Sequence, residues 1–432
     1  MLNPSPQPIR ADPDKLNSHF ASTAERTLGS KPEDIASLFD LVRSLPMQDG
    51  PRFNLSKVSP SEILKVIQGL RSDCSTGVDQ IPVKFLKPVA SIIAPALTHT
   101  INTCIEISTF PQDWKTARIS PIPKDYPVKE DDFRPVSILP VISKVFERIV
   151  LNQLIPFIEH EALYGSHMTG FRKGHSTTVL LGIRDELVRS MKRGEVSLLV
   201  FADYSKASDT VRFTRCMDWD FQKTFSFGLL AILYLHSRVS DLPGAVSEMS
   251  QIIQDLGSYS SASNLSLNKS KSNWMLVSTP QMIRVHSLHS RPLALHCGGA
   301  NLEHVKETKL LGVQFDNHLS WKQHISKVLA SCYGSLAVLR KVPYLAPIAV
   351  RRQLVESLIL SKLDYCDIVV SLIPEYQLKR LQRVQNACAS FVLGRYAKVD
   401  DVIKLKWLPI YERREINILK MTYKAMYSDT WP

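Results

Sequence analysis

Cysteine pairing is the first thing this sequence lacks. Its seven cysteines are scattered and odd in number, with no Cys-x-x-Cys spacing, which argues against a zinc knuckle and against a disulfide framework. Isolated thiols suit a reducing compartment. No uninterrupted apolar run reaches the roughly 20 residues of a membrane helix. The opening stretch, MLNPSPQPIRADPDK, has charge and proline but no apolar centre, so it does not make a signal peptide. No internal repeat is visible. These absences lead to the expectation of a soluble intracellular chain, nuclear or cytoplasmic.

What is present suffices for a core. A chain of 432 residues, 44% hydrophobic and 22% charged, suggests two or three globular domains. Its net charge of +12 favours a polyanionic partner, nucleic acid before a membrane surface.

The chain is organised around the stretch from Ser197 to Val211. Five apolar residues, Leu198 to Ala202, are too few for a helix and rich enough for a strand buried on both faces. Asp203 follows where the strand ends. A carboxylate there is either a solvated loop residue or the ligand of a divalent metal.

The wording FADYSKASDTV resembles the motif around the first catalytic Asp of reverse transcriptases from non-LTR (LINE-type, jockey-like) retrotransposons. Other words of that family occur in its order: Gly77-Val78-Asp79-Gln80-Ile81-Pro82, Phe110 to Lys115, Ala117 to Lys124, Phe133 to Pro140, Ser143 to Arg148 and Gly170 to Thr177. The resemblance implies an α+β polymerase right hand of fingers, palm and thumb. It divides the chain into a leader or connector (1–53), fingers (54–196), palm (197–318) and a helical thumb and post-thumb region (319–432). It implies Asp203 as the ligand of catalytic Mg2+, an incoming deoxynucleotide (dNTP), and an RNA template with a DNA primer. Arg134 and Arg172, with Lys124 behind them, become the phosphate contacts, since arginine's planar fork suits phosphate oxygens. Asn264 to Ser272 looks like the motif in which Lys271 would protonate the leaving pyrophosphate. Lys309 to Val313 looks like the primer-grip turn.

Two departures stand against this. The family's GVPQGS and YADD motifs should follow, but the chain passes from Asp241 to Val246 directly into Ser247 to Ile253. Where the family has a Phe that excludes the ribose 2′-OH, this chain has Ser208. Two-metal transfer needs several acids, and the remaining acid pairs, Asp131-Asp132 in a fingers loop and Asp400-Asp401 in a thumb loop, follow no apolar strand. Asp185-Glu186 reads as a helix-surface pair, and Asp218 and Asp220 as part of a helix connection. The expectation is therefore a reverse transcriptase by descent that is catalytically defective. Alternatives are a residual nucleic-acid-binding protein and a helical protein-interaction scaffold.

Further expectations concern structure. Ser59, Pro60 and Glu62 mark a capped helix start, with Ile63, Val66, Ile67 and Leu70 as its apolar stripe. Phe225 to Leu230 and Leu235 to Arg238 look like the family's helix after the Asp203 strand. Without the YADD hairpin, the strand candidates are Trp274 to Ser278, Leu293 to His296 and Leu311 to Phe315. They predict a shortened palm sheet with one side of the Asp203 strand poorly covered, no second acid within metal-bridging reach, and residues 212–250 as the least ordered region. From Gln323 onward apolar residues recur at helical spacing. Lys379, Arg380, Arg383, Arg395, Lys404, Lys406, Arg413 and Arg414 could line a duplex-binding face or simply a solvated one.

Overall fold

The computed structural model describes residues 12–28, 51–123, 133–161, 163, 177–205, 224–227, 230–262, 264–297, 300–341 and 346–427. The fold is mixed α+β, with many helices and small sheets. Two compact units divide the chain, one mainly Ser30–Gly165 and the other mainly Ser166–Pro432.

The first unit also holds helix α1 (Pro13–Ala21). It starts at Pro13 because Asp12 caps it, accepting the Asp14 N–H at 3.0 Å, and proline fits the first helical position. Helix α2 (Pro60–Gly69) begins with the expected capping box, Ser59 N–H donating to Glu62 at 2.8 Å. Its Ile63 and Ile67 are buried, and Val66 and Leu70 pack at the margin of the core. They meet Ala90, Ala94, Leu97 and Ile101 of α3 (Ala90–Glu106). Strands β1 (Arg118–Pro123) and β2 (Phe133–Ile138) form a separate antiparallel ribbon. Helix α4 (Val141–His160) completes this core with Val145, Phe146 and Ile149.

In the second unit, helix α5 (Thr178–Lys192) leads into β3 (Val196–Ser205). Strands β4 (Thr224–Phe227) and β5 (Leu230–Ser237) follow, then α6 (Leu242–Ala262), β6 (Ser266–Leu267) and β7 (Asn273–Val277). Next come the two-residue strands β8 (His296–Cys297), β9 (Ala300–Asn301) and β10 (Glu303–His304), and the hairpin β11 (Glu307–Leu310) with β12 (Val313–Asp316). The main sheet runs β10-β7-β3-β5-β4, with β6 pairing the end of β3.

The continuous apolar run of β3 is explained by two cores. Leu199 and Phe201 face Val179, Leu180, Ile183 and Leu187 of α5, while Leu198, Val200 and Ala202 face Leu242, Met249, Ile253 and Leu256 of α6. A strand covered by helices on both faces must be apolar on both. Ser197 is the exception, and its hydroxyl is satisfied by Ser190 Oγ (3.0 Å) and His236 Nδ1 (2.8 Å).

Three expectations are corrected here. The segment read as a helix after the Asp203 strand forms β4 and β5, and β5 pairs β3 from Val196↔Ser237 to Asp203↔Leu230. Both edges of β3 are therefore covered, β7 pairing the other from Ser197↔Val277 to Phe201↔Asn273. Of the three strand candidates, only Trp274 to Ser278 joins this sheet. The other two contribute to separate two-stranded ribbons, β8–β9 and β11–β12. Within 212–250, residues 212–223 and 228–229 lie outside the described residues, and the remainder supplies β4, β5 and the start of α6.

The C-terminal third is a helical array: α7 (Lys322–Leu339), α8 (Ile348–Val355, continuing through a π-helical turn), α9 (Glu375–Leu393), α10 (Val399–Lys404) and α11 (Ile410–Tyr427). Ile325, Leu329, Cys332, Leu336 and Leu339 pack against Leu381, Val384 and Cys388 in the same core that receives Leu199 and Phe201. Among the described residues, no helix is long and apolar enough to cross a membrane.

Candidate functional site

Burial along β3 fades at Asp203, the first half-exposed residue after seven buried ones. By the two-residue alternation of a strand, its side chain lies on the Leu199 and Phe201 face. Tyr204 turns the other way, its hydroxyl 3.1 Å from Ser260 Oγ on α6.

The segment from β6 to β7 brackets Asp203, because β6 pairs Tyr204 and Ser205 while β7 ends its ladder at Phe201. The intervening turn, residues 268–272, fastens to the Asp203 backbone twice. Asn268 N–H donates to Asp203 O at 2.8 Å, and Asp203 N–H donates to Ser272 Oγ at 3.2 Å. Asn268 closes the turn on itself, its Oδ1 accepting the Ser270 hydroxyl (2.8 Å) and the Lys271 N–H (3.2 Å), as a short amide side chain in a turn commonly does. Two residues singled out from the sequence, Asp203 and Lys271, are thus brought to one place. Lys271 is exposed, and neither side chain forms a hydrogen bond or ion pair among the described residues.

Asn268, Ser272 and Asn273 escaped the sequence reading. The available signal was the polar Asn-Lys-Ser-Lys-Ser-Asn run directly before an apolar strand. Asn273 sits opposite Phe201 in register and so shares the Asp203 face, and its buried Oδ1 has no hydrogen-bond partner among the described residues. One carboxylate and one amide oxygen fall short of the several acids that two magnesium ions require. Among the described residues, no group of three or more His, Cys, Asp or Glu side chains could hold a metal. The described donor set does not fit a two-ion centre.

The remaining sequence candidates disperse. Arg134 is exposed on β2 of the first unit, opposite Ile122. Lys124, Arg172 and Ser208 lie outside the described residues, as do Asp131, Asp132, Asp218 and Asp220. Asp400 and Asp401 belong to the first turn of α10, not to a loop. There the hydrogen bond from Arg395 (2.7 Å), then that from Lys398 N–H, holds the Asp401 carboxyl down to about 2. Asp185 and Glu186 pair with Arg184 and Arg189.

The supposed basic face also loses members. Arg413 grips Asp364, and Arg414 is buried with its guanidinium on the carbonyls of Asp367 (2.8 Å) and Val370. Both fasten α11 to the turn ahead of α9. Lys379 pairs with Glu375 and Arg395 with Asp401.

No family model matches the chain. Similarity to individual proteins does exist. The chain is 30% identical over 162 residues to the probable RNA-directed DNA polymerase from transposon BS of Drosophila melanogaster, which is 36% of this chain and 18% of that protein. It is 30% identical over 160 residues to the corresponding protein of transposon X-element, and 28% identical over 160 residues to the RNA-directed DNA polymerase from mobile element jockey, both from the same fly and with the same coverage. The chain thus matches less than a fifth of the length of these relatives. Over about a third of its own length its homologues are RNA-directed DNA polymerases of non-LTR retrotransposons.

Proposed function

We propose that this chain, descended from a non-LTR retrotransposon reverse transcriptase, keeps that enzyme's nucleic-acid-binding frame and has lost its catalysis. On this reading the first unit corresponds to fingers, the sheet around β3 to the palm and the helices from Lys322 to the thumb. The observation that carries it is the Asp203 corner. The strand end and the 268–272 turn are built and fastened together, yet the sequence contains neither GVPQGS nor YADD. With Asp203 as its single carboxylate, the corner does not seat the two magnesium ions that phosphoryl transfer uses. Lys271 stays a solvent-facing cation without a pyrophosphate to protonate. Arg134, Arg172 and Lys124 would remain contacts for phosphate, and Ser208 no longer screens the ribose 2′-OH.

The test is primer extension. The purified chain, given a primed RNA template, deoxynucleotides and magnesium or manganese, is expected to add no nucleotide while still binding the duplex. Template-dependent incorporation abolished by Asp203→Ala would overturn the inactive reading.

A further inference from the structure

Helix α11 leaves the packed array partway along its length. Ile410 and Arg414 are its buried residues, and Asn417 still donates to Asp367 Oδ2 at 2.7 Å. From Ile418 to Tyr427 every residue except Met421 is exposed. Leu419, Tyr423 and Tyr427 follow one another at four-residue spacing and so form one stripe. They are 66%, 65% and 68% exposed. The rings of Tyr423 and Tyr427 lie 4.7 Å apart, tilted at 37°. Lys420 and Lys424 run beside them at the same spacing, and between Ile416 and Tyr427 the helix carries no acid.

An apolar stripe this exposed on a helix asks for a partner, and its chemistry narrows the choice. Aromatic rings alternating with cations, with no carboxylate among them, match the surfaces that hold single-stranded nucleic acid. Rings stack on base faces and cations meet the phosphates between them. A duplex hides its base faces and offers such rings only its backbone. A second copy of the same stripe would set lysines against lysines.

We propose that the distal half of α11 is a platform for unpaired nucleic acid, with Tyr423 and Tyr427 stacking on bases and Lys420 and Lys424 neutralising phosphates. The platform rests on the nucleic-acid reading above for its class of ligand and owes nothing to the Asp203 corner.

The experiment titrates the full 432-residue chain with a fluorescent 20-nucleotide oligouridylate and, separately, with a blunt duplex of equal length. The double variant Tyr423→Ala/Tyr427→Ala should bind the single strand at least about tenfold more weakly and the duplex within about threefold of the parent. The Tyr423→Phe/Tyr427→Phe variant, which keeps both rings, should bind the single strand like the parent. Because both side chains are exposed, all variants should melt together. Unchanged single-strand binding by the alanine variant overturns the proposal. So does an equal loss for single strand and duplex, or a parent dimer in sedimentation that the alanine variant dissolves. Should the parent bind neither ligand, the nucleic-acid reading falls as well; a parent that binds duplex while its single-strand affinity ignores the tyrosines sinks the platform alone.

Discussion

His324 stands in the first turn of α7 with its ring buried and its Nδ1 accepting the Gln314 N–H at 3.3 Å. That bond requires a neutral ring with the proton on Nε2. Burial first, and then the cations Arg414 and Lys327, push its pKa from 6.5 down to about 4. The direction fixes the pH dependence. The unfolded chain takes up a proton on this histidine near its ordinary value, while the folded chain resists until about 4. Stability from this residue is therefore complete above roughly pH 6.5 and is lost as pH falls from there to about 4, by on the order of 3 kcal/mol. Urea unfolding at pH 7.5 and pH 5 should show about 2 kcal/mol of that loss in the parent and a smaller one in His324→Gln. Equal losses in both would rule the histidine out as the source.

Gly77 shows at the scale of an element why one family word takes the form it does. Its turn lies against the entry to α4, and a Cβ there would stand 2.5 Å from Pro140 N and 2.7 Å from Leu139 C. Backbone atoms cannot swing aside as a side-chain end can, so Gly77→Ala should destabilise the first unit by about 2 kcal/mol or more. Gly69→Ala, with nothing within 4 Å, serves as the control in thermal melts. A pair of variants that melt together would remove the steric account. The turn was visible in the sequence; the backbone it must clear, Leu139 and Pro140 ahead of α4, was not. The same division runs through the sheet around β3. Leu198 to Ala202 announced a doubly covered strand, and the capping residues announced α2, because those signals are local. The segment Ala231-Ile232-Leu233-Tyr234-Leu235 carried no such signal, since a short apolar run serves a helix or a strand equally. Its fate is decided by distant partners. Ile232 enters the core of Leu199 and Phe201, Leu233 and Leu235 enter the core of Leu198 and Val200, and the backbone closes an edge of β3 that would otherwise lie open. Asp203 could be nominated from the sequence for the same local reason. Its fastening to Asn268 and Ser272 spans more than sixty residues and left only a polar run as a trace.

Charge is the property that belongs to the molecule as a whole, and it is unevenly spread. Residues 319–432 hold 18 lysines and arginines against nine aspartates and glutamates, so a surplus of nine out of the chain's +12 lies in the helical third. Much of that surplus is already engaged. Arg352, Lys379, Arg395, Lys404 and Arg413 pair with acids, and Arg414 is buried on carbonyls. Lys322, Arg340, Lys341, Arg383, Lys398, Lys406, Lys420 and Lys424 form no ion pair among the described residues. Eight cations spread over three helices and the connections between them cannot all meet one ligand, so a bound nucleic acid would have roughly four to six phosphates neutralised. Each neutralised phosphate of a duplex adds about −0.9 to the slope of log affinity against log salt. The expected slope is therefore about −4 to −5, and raising salt from 50 to 200 mM should weaken duplex binding by about two to three orders of magnitude, with no sequence preference. Reversing the charge at two of the free positions, as in Arg383→Glu/Lys406→Glu, should make the slope shallower by about two. Binding that holds steady across that salt range, or a slope that ignores the double variant, would mean that the basic third is not where the polyanion sits.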